Sequence, residues 1–87
     1  MQQLPPDFRF ADYFGPALYL HGQRVAMATK AHDAPDAPWR ICFNPDRRAM
    51  RHAFVATEAG AVRMMTAWAC RWEARLREQP PAARMCS

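Results

Sequence analysis

Residues 17–30, ALYLHGQRVAMATK, decide the fold because they carry the clearest hairpin pattern in the chain. Apolar side chains alternate with other side chains on both sides of Gly22-Gln23, and a two-residue turn with glycine first is typical of type II′. This turn sets apolar side chains opposite one another, in the pairs Leu20 with Val25 and Leu18 with Met27. The segment therefore predicts two antiparallel strands that share one apolar face.

The segment that follows predicts a loop and then a third strand. Residues 31–38, AHDAPDAP, contain two prolines and no apolar period, which is typical of a surface loop. After the loop, Trp39, Ile41 and Phe43 alternate with other residues, as in a half-buried strand. We expect these three side chains to join the apolar face of the hairpin.

Residues 45–56 fit two structures. The sequence NPD at residues 44–46 favours both a tight turn and a helix start, with asparagine as N-cap and proline in the first turn. Residues 51–57 alternate and are rich in β-branched and aromatic side chains, which favours a strand. We prefer a fourth strand paired antiparallel with the strand of Trp39, and the helix stays an open alternative.

Residues 58–79 predict a long helix. Thr57 is suited to cap its start, Glu58 lies where the helix dipole favours an acid, and Pro80 and Pro81 end it. One arc of about 120° contains no charge and is predicted to face the core. It comprises Ala61, Val62, Met65, Trp68, Ala69, Trp72 and Leu76.

The order of these elements predicts a small α+β protein. Residues 1–79 are expected to form one domain, an antiparallel sheet of three or four strands with one long C-terminal helix packed on a face. Residues 1–15 are predicted to be an aromatic arm that contains a short helical turn starting near Asp7 and covers an end of the core. Residues 80–87, rich in proline and alanine, are predicted to be a flexible tail.

Positive charge is concentrated in the second half of the chain. Residues 47–87 hold eight arginines and three glutamates, or +5, whereas residues 1–46 hold four cations and five acids, or −1. Clustered positive charge attracts polyanions. We therefore expect an arginine-rich face that contacts nucleic acid or another acidic macromolecule. Its predicted members are Arg47, Arg48, Arg51, Arg71 and Arg75.

Two other interpretations stay open. The helix arginines could form a solvated face, with Arg71 and Arg75 paired to Glu78 and with Arg77 paired to Glu73. Alternatively, the chain is a protein-interaction module with an accessory or inhibitory role, and a homodimer is one form of it. Such a module would dock through a sheet edge or through a strip of small residues on the helix. The strip comprises Ala67, Cys70 and Ala74.

The sequence lacks the patterns of common catalytic, metal and membrane sites. Its only serine is Ser87, its three glycines are isolated, and its three cysteines and three histidines have no ligand-like spacing. We therefore predict a non-enzymatic protein without a metal, a cofactor or a small-molecule substrate. No signal peptide or long apolar run is present, so no membrane contact is expected, and unpaired thiols favour the cytoplasm.

Overall fold

The chain folds into two layers, a sheet and one helix, in a computed structural model that describes residues 3–31, 34–45 and 50–79. The five strands and the helix follow one another along the chain. They are β1 (Phe8–Asp12), β2 (Pro16–Leu20), β3 (Gln23–Lys30), β4 (Trp39–Phe43), β5 (Arg51–Val55) and α1 (Glu58–Glu78). The strands lie in the sheet in chain order, each antiparallel to the next. The predicted class, α+β with a C-terminal helix packed on an antiparallel sheet, is confirmed.

The sheet has five strands rather than three or four, because the aromatic segment near the N-terminus forms β1. Phe8 pairs with Leu20 and Phe10 pairs with Leu18, so both rings lie on the core side of the sheet. The predicted helical turn is wrong, since the pattern here has period 2. Tyr13 and Phe14, which helical spacing grouped with Phe10, lie in the β1–β2 turn instead.

The hairpin of β2 and β3 turns one residue earlier than predicted. His21 and Gly22 have φ values of 51° and 79°, so both central residues are left-handed. This geometry is typical of a type I′ turn, whose twist matches that of the flanking strands. Leu20 consequently pairs with Gln23.

A β-bulge in β3 partly offsets the earlier turn. The register shift makes Val25 an extra residue, so that Leu18 pairs with Ala26 rather than with Met27. The carbonyl of Val25 accepts a hydrogen bond of 2.8 Å from the backbone N–H of Asn44. Met27 therefore projects from the opposite side of the sheet, and its predicted place on the apolar face is wrong.

The second hairpin joins β4 and β5 as preferred from the sequence. Trp39 pairs with Val55 and Ile41 with Ala53, which confirms the strand interpretation for residues 51–55. Ile41 is fully buried, and Trp39 packs against the edge of the core. This alternation presents an apolar surface to the helix.

Helix α1 covers one face of the sheet and completes the core. Its N-cap is Thr57, whose hydroxyl accepts a hydrogen bond of 3.0 Å from the N–H of Gly60. Met65 is fully buried. The buried cluster combines side chains from four strands with side chains from the helix. It comprises Phe8, Leu18, Leu20, Val25, Ala26, Ala28, Ile41, Phe43, Ala61, Met65, Ala69 and Leu76.

Trp72 does not belong to the core, contrary to the sequence prediction. Its side chain is 40% exposed, and its backbone angles of φ −108° and ψ 15° interrupt the helix. A wheel of constant rotation assumes regular backbone angles, which this residue lacks. Trp68 does pack against the core, where the centroid of its ring lies 4.9 Å from the ring centroid of Phe43.

Candidate functional site

The face of the sheet that carries no helix is basic, and we call it the outer face. Directly paired residues of adjacent strands project to the same side, so the strand pairings define its members. They are Arg9, Ala11, Ala17, Tyr19, Arg24, Met27, Thr29, Arg40, Cys42, His52 and Phe54. Among these described strand residues there are three arginines and no aspartate or glutamate. The described strand residues of the outer face therefore carry a net positive formal charge.

Two rows on the outer face combine arginine with an aromatic ring. Arg9, Tyr19 and Arg24 are direct partners across β1, β2 and β3, and Arg40 is the direct partner of Phe54. Arg9 and Arg40 are exposed, and the ring of Phe54 is 60% exposed. Strands lie about 4.8 Å apart, so the two arginines of the first row are separated by about 10 Å at their Cα atoms.

An aromatic turn extends the outer face beyond the strands. The guanidinium carbon of Arg24 lies 4.4 Å from the ring centroid of Tyr13, a cation–π contact that orients this arginine. The rings of Tyr13 and Phe14 pack edge-on, with their centroids 5.0 Å apart. Phe14 is 83% exposed, so a second accessible ring adjoins the basic surface.

Counting charges along the chain missed the outer-face arginines. All three fall in the first half, where the acids outnumber the cations. Of the three described acids in that half, Asp36 is in a loop, Asp12 pairs with Pro16 on the helix side of the sheet, and Asp7 precedes β1 and forms an ion pair with Arg77 of the helix. The signal available in the sequence was alternation, which places an arginine opposite the apolar face in β1, β3 and β4.

The described members of the predicted arginine-rich face lie on the helix side of the molecule, away from the outer face. Two of its members are outside the described residues, namely Arg47 and Arg48. Arg51 begins β5, where it pairs with Phe43 on the side of the sheet that faces the helix. Arg71 and Arg75 are exposed on α1.

One flank of the helix combines these arginines with large apolar side chains, and we call it the tryptophan flank. It comprises Met64, Trp68, Arg71, Trp72 and Arg75 of α1 together with Arg51 of β5. At about 100° per residue, Met64, Trp68 and Arg71 fall within an arc of about 60°. Trp72 lies beside them because the guanidinium of Arg71 is over its ring, and Arg75 is exposed one turn after Arg71. Arg51 belongs to this surface because its strand partner Phe43 contacts Trp68.

The acids of the helix leave the arginines of the tryptophan flank without ion pairs. Glu73 accepts a hydrogen bond of 2.8 Å from Nε of Arg77, as the solvated-face interpretation predicted. Within residues 3–31, 34–45 and 50–79, no ion pair involves Arg71 or Arg75. Their predicted pairing with Glu78 is therefore absent from this part of the chain.

The N-terminal segment crosses the opposite flank of the helix. The carbonyl of Gln3 accepts a hydrogen bond of 3.2 Å from the thiol of Cys70. Arg77 donates to the carbonyl of Pro6 at 2.6 Å and to the carboxylate of Asp7 at 3.1 Å. These contacts hold the segment ahead of β1 against the helix.

The predicted small-residue strip is consequently occupied in part by the chain itself. Ala67 is half-buried and Ala74 is exposed, while Cys70 is in contact with Gln3. A second helix docking on this strip would meet the N-terminal segment. Homodimerisation stays a prediction.

The ion pair of Asp7 predicts a pH-dependent contribution to stability. Hydrogen bonds from Arg77 and then from His21 hold the pKa of Asp7 below its ordinary value. A carboxyl group whose pKa is lower in the folded than in the unfolded state stabilises the fold at pH values above its unfolded-state pKa. This stabilisation is lost as the pH falls through its folded-state pKa. Asp7→Asn should therefore lower the Tm near pH 7, and the difference in Tm from wild type should shrink as the pH falls below the ordinary aspartate pKa of about 3.9.

Thermal unfolding followed by circular dichroism across that pH range measures this difference. Asp12→Asn is the matched control, because Asp12 is exposed and has no ion pair with a described residue. A stabilising role for the Asp7 ion pair is contradicted if the Tm difference between Asp7→Asn and wild type stays unchanged in acid. It is also contradicted if Asp12→Asn lowers the Tm by an equal amount.

No metal-binding group is evident in the part of the chain that the structure describes. Cys42 and His52 are direct partners across β4 and β5. Residues 3–31, 34–45 and 50–79 hold no cluster of three or more side chains able to bind a metal ion. In the same residues, no helix is both long and apolar enough to cross a bilayer.

No protein-family model, curated protein or solved structure significantly matches this chain.

Proposed function

We propose that the protein binds single-stranded nucleic acid through the outer face and catalyses no reaction. The supporting observation is the arrangement of arginines and aromatic rings on a described sheet face without acids. Guanidinium groups bind phosphate oxygens in a bidentate manner, and aromatic rings stack on unpaired bases. Both components of a single strand therefore have partners on this surface.

The spacing of the charges supports an extended ligand rather than a single anion. Arg9 and Arg24 lie about 10 Å apart across the strands. Arg40 pairs with Thr29, which follows Arg24 by five residues along β3, so a further separation of about 15 Å runs along the strand direction. Such a distribution suits contacts with more than one phosphate of the same strand.

The exposure of Phe54 supports stacking of an unpaired base. A phenylalanine ring that is 60% exposed on a strand exposes apolar area to water, and a stacked base would remove that area from solvent. Bases within a duplex are already stacked on each other and present only their edges. A single strand is therefore the better fit for this ring and for Tyr19.

Charge reversal on the outer face should weaken binding. We expect Arg40→Glu to reduce affinity for a fluorescent single strand of about 20 nucleotides by about tenfold or more. Phe54→Ala should reduce it by a similar factor, since each stacked base contributes about 1–3 kcal/mol. Fluorescence anisotropy at about 50 and 200 mM salt measures both affinity and its salt dependence.

Arg63→Glu is the matched control, because this exposed arginine on α1 belongs neither to the outer face nor to the tryptophan flank. It makes the same charge change and should have a much smaller effect. Absence of binding to any oligonucleotide at low salt would remove the proposal. A large loss for Arg71→Glu with none for Arg40→Glu would move the interface to the arginine-rich face predicted from the sequence.

A further inference from the structure

We infer that the tryptophan flank is a second docking site, which binds an acidic segment of a partner protein that also carries apolar side chains. The site lies on the helix layer, whereas the outer face is on the other side of the sheet. The inference therefore does not rest on the proposed nucleic-acid binding.

Three large apolar side chains form a ridge along the tryptophan flank. Met64, Trp68 and Trp72 are spaced by four residues, so they follow one another over about 12 Å of the helix. Met64 is 39% exposed and Trp72 is 40% exposed, although Trp68 packs partly against the core. This ridge presents apolar area that the described part of the chain leaves in contact with water.

The composition of the flank is typical of a protein interface. Tryptophan, methionine and arginine are enriched in such interfaces, whereas lysine, glutamate and aspartate are depleted. All six members of the flank come from the enriched group. Methionine adapts its shape to different partners, which suits it to the end of the ridge.

The charges of the flank determine the sign of the partner. The guanidinium carbon of Arg71 lies 5.4 Å from the ring centroid of Trp72, so this arginine is held beside the ridge. Arg51, Arg71 and Arg75 have no ion pair within the described residues. Carboxylates on the partner would supply the missing opposite charge.

A protein segment fits this site better than nucleic acid does. A polynucleotide offers phosphates and base faces, but it has no aliphatic side chains to cover Met64 and the edges of the two tryptophans. An amphipathic acidic segment offers carboxylates for the arginines and apolar groups for the ridge together.

A panel of synthetic peptides of equal length tests the site. One is an amphipathic helix of glutamate and leucine, and the others replace all glutamates with glutamine or all leucines with serine. Amide and indole shifts in the NMR spectrum of the full chain locate binding, and titration gives the affinity. We expect only the first peptide to bind well, with about tenfold weaker binding for the other two.

Trp72→Ala should weaken binding of the first peptide by about tenfold or more, and Arg75→Glu by a similar factor. Phe54→Ala is the matched control, since it removes an exposed ring from the outer face and should leave peptide affinity unchanged. The inference is overturned if no peptide binds, if the serine peptide binds as tightly as the leucine peptide, or if Trp72→Ala has no effect. It is also overturned if oligonucleotides, and not peptides, shift the signals of the flank.

Discussion

Met65→Ala is expected to lower the free energy of unfolding by about 2–5 kcal/mol, which is a large part of the stability of so small a protein. Met65 is fully buried between the helix and the sheet, so alanine would leave a cavity that the surrounding side chains fill only in part. A chain of 87 residues is expected to have a stability of about 4–13 kcal/mol. Urea unfolding followed by circular dichroism measures the change.

Trp72→Ala on the same helix is the comparison that tests this description of the core. Trp72 is 40% exposed and lies outside the buried cluster, so its loss leaves no closed cavity and should cost less than the loss of Met65. A cost for Trp72→Ala equal to or above that for Met65→Ala would contradict the exposure of Trp72. It would support the constant helical wheel, which places this tryptophan in the core.

Gly15→Ala is expected to destabilise the protein by about 3 kcal/mol or more. Gly15 has a φ of 137°, and a Cβ atom at this position would lie 2.3 Å from the carbonyl oxygen of Ala28 and 3.1 Å from the ring of Trp39. A side chain therefore meets both an unfavourable backbone conformation and a neighbouring strand that cannot move without breaking its pairing. Thermal and urea unfolding would show the loss.

Gly22→Ala separates these two causes. Gly22 also has a positive φ, 79°, but an added Cβ atom would meet nothing within 4 Å. Its cost should therefore be limited to conformational strain, about 1–2 kcal/mol. Equal losses at the two glycines would show that the contact with Ala28 does not matter.

Periodicity in the sequence was sufficient to predict most of the elements. The alternation around Ile41 and in residues 51–55 identified β4 and β5, and the cap at Thr57 identified the start of α1. The same rule would have identified β1 if the alternation of Phe8 and Phe10 had been preferred to the helical spacing of Phe10, Tyr13 and Phe14. The fold class depended on these local patterns and not on a family resemblance.

The candidate surfaces were much harder to predict, because they depend on which elements meet. The predicted arginine-rich face was inferred from the net charge of the second half of the chain. Arg9, Arg24 and Arg40 instead come together only through strand pairing in the sheet. The tryptophan flank depends on a contact between distant residues, the rings of Phe43 and Trp68. The outer face is not a pattern within a single segment, and Arg51 joins the helix residues of the tryptophan flank only through this tertiary contact.

The sequence by itself determined that residues 16–30 form a hairpin and residues 58–78 a helix, since alternation, caps and turn formers act over a few residues. Only the tertiary structure decided the side of the sheet on which Met27 lies and the exposure of Trp72. The earlier turn shifts the strand pairing by two residues and so keeps the predicted faces, whereas the one extra residue at the Val25 bulge reverses the faces of the residues after it, including Met27. The irregular backbone at Trp72 likewise cannot be inferred from the spacing of apolar residues.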